Sequence, residues 1–188
     1  AALRTLIFHD GALGDVLLSL PCISAIGRHA APMDAICRDD VGRLLKTSGI
    51  VQRAFSSDSG VFSSWYAGRP SNDAWALQGR YGRVFVFTLR GGSVLAKNIA
   101  RTVPDTRIII TVPPAGERTQ VAEFRLRQLP KALQEDGPVR LSISPEFRRQ
   151  AGEALALAGH RGQEHVIIIH PGSGAKRKCW PLERSFTF

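Results

Sequence analysis

Two short segments hold the residue types from which chemistry could be built. The first is His-Asp-Gly-Ala-Leu-Gly-Asp at residues 9–15. Gly11 and Gly14 allow a tight turn and a close approach of backbone to a ligand. The amides that open a following helix favour an anion. Asp15 stands where a carboxylate either caps that helix or faces a substrate and takes its proton; spacing alone leaves both open. The second segment is His-Pro-Gly-Ser-Gly-Ala-Lys-Arg-Lys-Cys-Trp-Pro at residues 170–181. Gly172, Ser173 and Gly174 offer a nest of backbone N–H groups with a hydroxyl in it. Lys176, Arg177 and Lys178 follow directly, so the whole reads as a phosphate cradle, the alternative being a glycine turn into a solvated basic stretch. Neither segment is the GxGxxG of a dinucleotide site or the GxxxxGK[ST] of a P-loop, which argues against an oxidoreductase.

The elements that would position these segments alternate. Apolar, β-branched runs at residues 3–8, 33–37, 50–55, 83–89, 107–112 and 165–169 predict strands. Helical spacing is expected at 15–28, 39–47, 93–101, 117–133 and 145–159. On the first helix Val16, Leu17, Leu20, Ile23 and Ile26 form the apolar side, with Pro21 expected to kink it. Residues 56–79 read as loops and short helical pieces. Strand–helix alternation of this kind predicts an α/β fold, a Rossmann-like parallel sheet with helices on both faces. In such sheets ligands bind outside the carboxyl ends of the strands, where both segments fall. The composition shift near residues 137–145 places a boundary between domain 1–144 and a second, incomplete unit at 145–188.

Composition narrows the partners. The 188 residues carry a formal net charge of +9, which favours an anionic partner. The positive residues are scattered, without a basic run or nucleic-acid motif, so no nucleic-acid partner is expected. No apolar run approaches the roughly 20 residues of a membrane span, and residues 1–8 lack a signal-peptide pattern. Cys22, Cys37 and Cys179 show no CxxC spacing, so reduced thiols are expected, with no metal site.

Together, in this order and about one domain apart, the two segments resemble glycosyltransferase family 9, the heptosyltransferases of lipopolysaccharide core assembly. Residues 11–21, GALGDVLLSLP, resemble that family's GD-x-(L/V)-L-x-x-x-P opening. Residues 170–181 resemble its H-x-G-(S/T)…K-x-W-P block. The resemblance implies a GT-B architecture of two Rossmann-like domains, with 1–144 on the acceptor side and 145–188 a linker helix and the beginning of the donor-binding domain. It implies an inverting, metal-free transfer of a sugar, heptose from ADP-heptose, to a lipopolysaccharide-type glycolipid acceptor. Asp15 would be the general base and Gly11 and Gly14 would lie beside the acceptor. Gly172 and Ser173 would hold donor phosphate, and Lys178 would neutralise the leaving diphosphate. The implied setting is cytoplasmic, with peripheral contact at the inner membrane surface. The family's later D-(S/T)-G-x-x-H segment would lie beyond residue 188, so the sequence is expected to stop early in its second domain.

Several further residues have two readings each. Asp10 is a rival carboxylate to Asp15, and His9 reads as a loop residue in preference to a second base. His170 reads as structural and Trp180 as packing. Trp65, Tyr66 and Trp75 either pack under a loop or meet a sugar, and Arg69 and Arg80 could meet acceptor phosphates. The competing function is a non-catalytic α/β domain that binds a nucleotide or carbohydrate.

Overall fold

The computed structural model of the chain describes residues 4–30, 32–68, 70–71, 79–134, 137, 139–162, 165–168 and 179. The chain divides into two compact units, Ala1–Ser144 and Pro145–Phe188.

The first unit is a doubly wound α/β layer. Its strands are β1 (Arg4–His9), β2 (Met33–Cys37), β3 (Arg53–Ser56), β4 (Tyr81–Thr88) and β5 (Thr106–Ile110). They form one sheet in the order β3-β2-β1-β4-β5, with every pairing parallel. The helices are α1 (Leu13–His29), α2 (Asp39–Thr47), α3 (Gly60–Ser63), α4 (Val94–Thr102) and α5 (Val121–Leu126), with 3-10 turns at Ser64–Tyr66 and Lys131–Leu133. Consecutive strand residues point to opposite faces, so both faces of a buried parallel strand must be apolar. Ile7, Ala35, Phe85, Phe87 and Ile109 pack with α1, α2 and the segment through Leu129 and Leu133. Leu6, Phe8, Ile36, Val84 and Val86 pack on the other side with Phe62, Trp65, Leu95 and Ile99. The α/β class expected from the alternation is the one observed.

Element limits differ from the sequence reading for local reasons. The third strand begins at Arg53, not at residue 50. The amides of Ile50 and Val51 turn back to the Leu45 carbonyl, 3.0 and 3.4 Å away, and close the end of α2 through Gly49 at φ +71°. The long helix expected over 117–133 is only the six residues of α5. The Gln128 and Leu129 amides bond three residues back, a tightening that ends the helix. Helix α1 runs through Pro21 without a break. Its side that faces the sheet carries Val16, Leu20, Ile23 and Ile26, while Leu17 is exposed.

The second unit holds α6 (Pro145–Leu157), tied by Arg149 pairs to Glu146 and Glu153 at 2.7 and 2.5 Å. Residues 165–168, expected as strand, are not in one: they are exposed and carry no ladder pairing. A strand exists only through its neighbour, and the described residues of this unit include no other strand.

Candidate functional site

The strand order reverses direction between β1 and β4. Chain leaving β1 crosses toward β2, and chain leaving β4 crosses toward β5. Loops part at such a switch point and leave a crevice at the carboxyl ends of the strands. A cleft of about 140 Å³ lies there, lined by His9, Asp10, Gly11, Asp15, Phe87, Thr88, Leu89 and Thr111. Wider grooves exist elsewhere. One of about 350 Å³ lies between α2 and β3 and carries Arg38, Arg43 and Lys46. The smaller cleft is the one that gathers a carboxylate, a buried imidazole and a glycine turn.

Asp15 stands in the first turn of α1, with its side chain 57% exposed. The helix cap is Ala12, which has no side-chain acceptor. Asp15 is therefore not the cap of this helix, and it lines the cleft. Gly11 is needed sterically: a Cβ there would lie 2.7 Å from His9 Cε1 and 2.9 Å from the Asp15 Cβ. Gly14 is different. A Cβ at Gly14 would meet nothing within 4 Å, and the residue does not line this cleft. The expectation that Gly14 serves the turn is therefore corrected, since the turn is made before it.

His9 is the buried last residue of β1 and not a loop residue. Its ring stacks on Phe87 at 4.9 Å between centroids. The Gly11 amide donates to Nδ1 at 3.2 Å, so Nδ1 is the bare nitrogen and the ring proton sits on Nε2. Nε2–H donates to Ser19 Oγ at 2.9 Å, and Ser19 donates to the Asp15 carbonyl at 3.1 Å. Burial, reinforced by the nearby Arg125 charge, pushes His9 down to about 4. A neutral ring with both nitrogens occupied holds the turn and cannot serve as a second base.

Arg125, on α5, closes this network and was not foreseen. Only 1% of it is exposed. Its Nη1 donates to Ser19 Oγ at 2.6 Å and to the Asp15 carbonyl at 2.5 Å. Its Nε and Nη2 donate to the Thr111 carbonyl at 3.0 and 2.7 Å. The Asp15 carboxylate is 3.9 Å from Nη2. Burial pulls this guanidinium below its ordinary range, and the Asp15 charge opposes that pull. The sequence held one signal. Arg125 falls four residues before Leu129 in the stretch read as helical, so that spacing sets it in line with an apolar residue that the fold buries.

The remaining candidates separate. Asp10 accepts a hydrogen bond from the Tyr66 hydroxyl, which raises Tyr66 further above the range that burial already sets. Trp65 is a core residue, 1% exposed, packed on Phe8 and Phe62. Arg80 precedes β4 and so lies at the amino end of the sheet, away from the cleft. Gly172, Ser173 and Lys178 lie outside the described residues, as do Arg69, Trp75, His170, Lys176, Arg177 and Trp180. Cys22 and Cys37 are buried, and burial pushes each thiol up to about 12.

Neither a family model nor a curated protein matches the sequence. Solved structures do match. The crystal structure of the glycosyl transferase family 9 from Veillonella parvula DSM 2008 superposes with a TM-score of 0.69 at 16% identity, over 97% of this chain and 58% of that one. The E. coli ADP-heptose lps heptosyltransferase II superposes with a TM-score of 0.53 at 14% identity, over 82% of this chain and 51% of that one. The chain thus spans between half and three-fifths of the structures it matches, and at these identities what it shares with glycosyltransferase family 9 is the fold.

Proposed function

We propose that the chain is part of a glycosyltransferase and supplies the acceptor side of its active site. The observation that carries this reading is the Asp15 carboxylate, exposed at the switch-point cleft on a turn locked by Gly11 and His9. A fixed carboxylate there can accept the proton of an acceptor hydroxyl. The oxygen then attacks the anomeric carbon of a nucleotide-activated sugar from the face opposite the leaving diphosphate, so the new bond forms with inversion. His9, neutral and fully bonded, leaves that proton to Asp15.

In the same reading the first unit binds the acceptor, and residues 145–188 open the donor-binding domain. Gly172 and Ser173 hold donor phosphate there, and Lys178 balances the charge on the departing diphosphate. In this reading the sugar is heptose and the donor ADP-heptose, as in the name of the E. coli structure that shares the fold. The acceptor in this reading is a lipopolysaccharide-type glycolipid, and the chemistry needs no metal. No helix among the described residues is long and apolar enough to cross a membrane. With a net charge of +9, peripheral contact with an anionic membrane surface, on its cytoplasmic face, fits that acceptor.

The test is a transfer assay on the protein that carries this chain, with ADP-heptose and a deacylated lipopolysaccharide-core acceptor. The expected product gains the mass of one heptose and releases ADP. Asp15→Asn should lower kcat by roughly 10²–10⁴-fold with donor affinity retained. Transfer from a different nucleotide sugar would keep the chemistry and change the substrate. Ligand binding without transfer from any donor would instead make this a non-catalytic binding domain.

A further inference from the structure

We infer that Arg125 is a positioning residue for Asp15: buried behind the cleft, it ties the first turn of α1 to the end of β5 and so sets where the Asp15 carboxylate stands. The inference rests on the proposed role of Asp15 and adds a residue that lines no part of the cleft.

Three features of the geometry point this way. The donors of one guanidinium reach two elements that wall the cleft, α1 at the Asp15 carbonyl and the end of β5 at the Thr111 carbonyl. Asp15 and Thr111 both line the cleft, so the planar fork of Arg125 holds its width. A lysine, with one compact ammonium, cannot span both carbonyls in the same way. Next, the hold is on backbone. The Asp15 carboxylate stays 3.9 Å from Nη2 and 57% exposed, so its main chain is fixed while its oxygens remain open to a ligand. Last, Ser19 Oγ carries the restraint to β1, since it accepts from both Arg125 and His9 and donates to Asp15. An apolar residue would fill the same space at no charge cost, because a buried ion without a buried counter-ion is poor stabilisation. What the arginine adds is directed hydrogen bonds at one turn.

The experiment is a double-mutant cycle in the transfer assay, with donor affinity measured by calorimetry. Arg125→Met should lower kcat about 100-fold, the scale of a misplacement near 1 Å, while acceptor KM and donor Kd stay within about 3-fold. In the Asp15→Asn background the same change should move the residual rate by less than about 2-fold, because its target is already gone. Full additivity of the two losses overturns the inference while leaving Asp15 as the base. An Asp15→Asn protein that keeps its rate removes the Asp15 reading and the inference with it. Should Arg125→Met not fold, Arg125→Lys and Ser19→Ala carry the same cycle. Each is expected to cost about 10-fold in kcat alone and about nothing in the Asp15→Asn background, and additivity there overturns the inference equally.

Discussion

Asp34 and Arg125 are both buried charges, one near each end of the sheet. Asp34 is fully buried in β2, toward the amino end. Its Oδ2 accepts from Arg4 Nε at 2.7 Å, from Arg53 Nη2 at 2.7 Å and from the Tyr81 hydroxyl at 2.9 Å, and its Oδ1 accepts from Arg4 at 2.5 Å. Burial alone would raise this carboxyl, yet the bonds from Arg4, Arg53 and Tyr81 hold it down at about 2. Arg125, toward the carboxyl end, is served mainly by carbonyls and one hydroxyl. Among the described residues its one carboxylate in ion-pair reach is the half-exposed Asp15. A charge matched on every side is a fastening. A charge answered by dipoles beside an open cleft leaves field and geometry to be used there.

The sharpest way to break this contrast is to remove each charge and compare stability. Asp34→Asn should destabilise by about 3 kcal/mol, since it strands two guanidinium groups over a buried amide. Arg125→Met should cost about 1–2 kcal/mol, chiefly the carbonyl bonds lost. Urea unfolding of both variants checks the order. If Arg125→Met is the costlier of the two, the carboxyl-end network is a fastening like the other.

Acid separates the two ends without mutation. His9 falls from its ordinary 6.5 to about 4 in the folded chain. The unfolded chain therefore binds the extra proton first, and the His9 contribution to stability is lost as pH falls from 6.5 to about 4. At about 1.4 kcal/mol per pH unit between the two values, the loss is about 3 kcal/mol. Asp34 falls from 3.8 to about 2. Its stabilisation is whole above 3.8 and is lost as pH falls through 3.8 toward 2, about 2 kcal/mol. Unfolding free energy measured against pH should thus fall first through the His9 window and then, without a plateau near pH 4, through the Asp34 window. His9→Gln should flatten the first and leave the second.

What the sequence disclosed follows the same division. The parallel sheet with helices on both faces was legible in the strand–helix alternation and in continuous apolar runs such as Leu6–Ile7–Phe8 and Val84–Phe85–Val86, while the strand order was not. Asp15 and Gly11 stood out as candidates because the glycines mark the turn between the first strand and the first helix, at the carboxyl end of the sheet. Arg125 did not, since its meaning depends on Ser19 and Thr111, 106 and 14 residues away in sequence. Nor could spacing tell that His9 closes β1 under Phe87. Residues 165–168 differ in the same way: Val166, Ile167 and Ile168 have strand composition, yet among the described residues they are exposed and outside any strand.

The smallest effect sits on Gly14, and the contrast with Gly11, three residues earlier, tests the cleft end at its finest grain. Gly11→Ala drives a methyl to within 2.7 Å of the His9 ring and 2.9 Å of the Asp15 Cβ. Both neighbours are held, His9 by Ser19 and Phe87 and Asp15 by the Arg125 bond to its carbonyl. Neither can step aside cheaply, so the change should cost about 1–3 kcal/mol and lower transfer with it. Gly14→Ala meets open space inside a helix, where alanine is the better former. It should stabilise by about 0.5–1 kcal/mol. If Gly14→Ala nonetheless raises acceptor KM while the melting temperature rises, the open space beside Gly14 is where a ligand comes close to the backbone. Unchanged kinetics with the higher melting temperature would confine the acceptor to the Gly11 side of the turn.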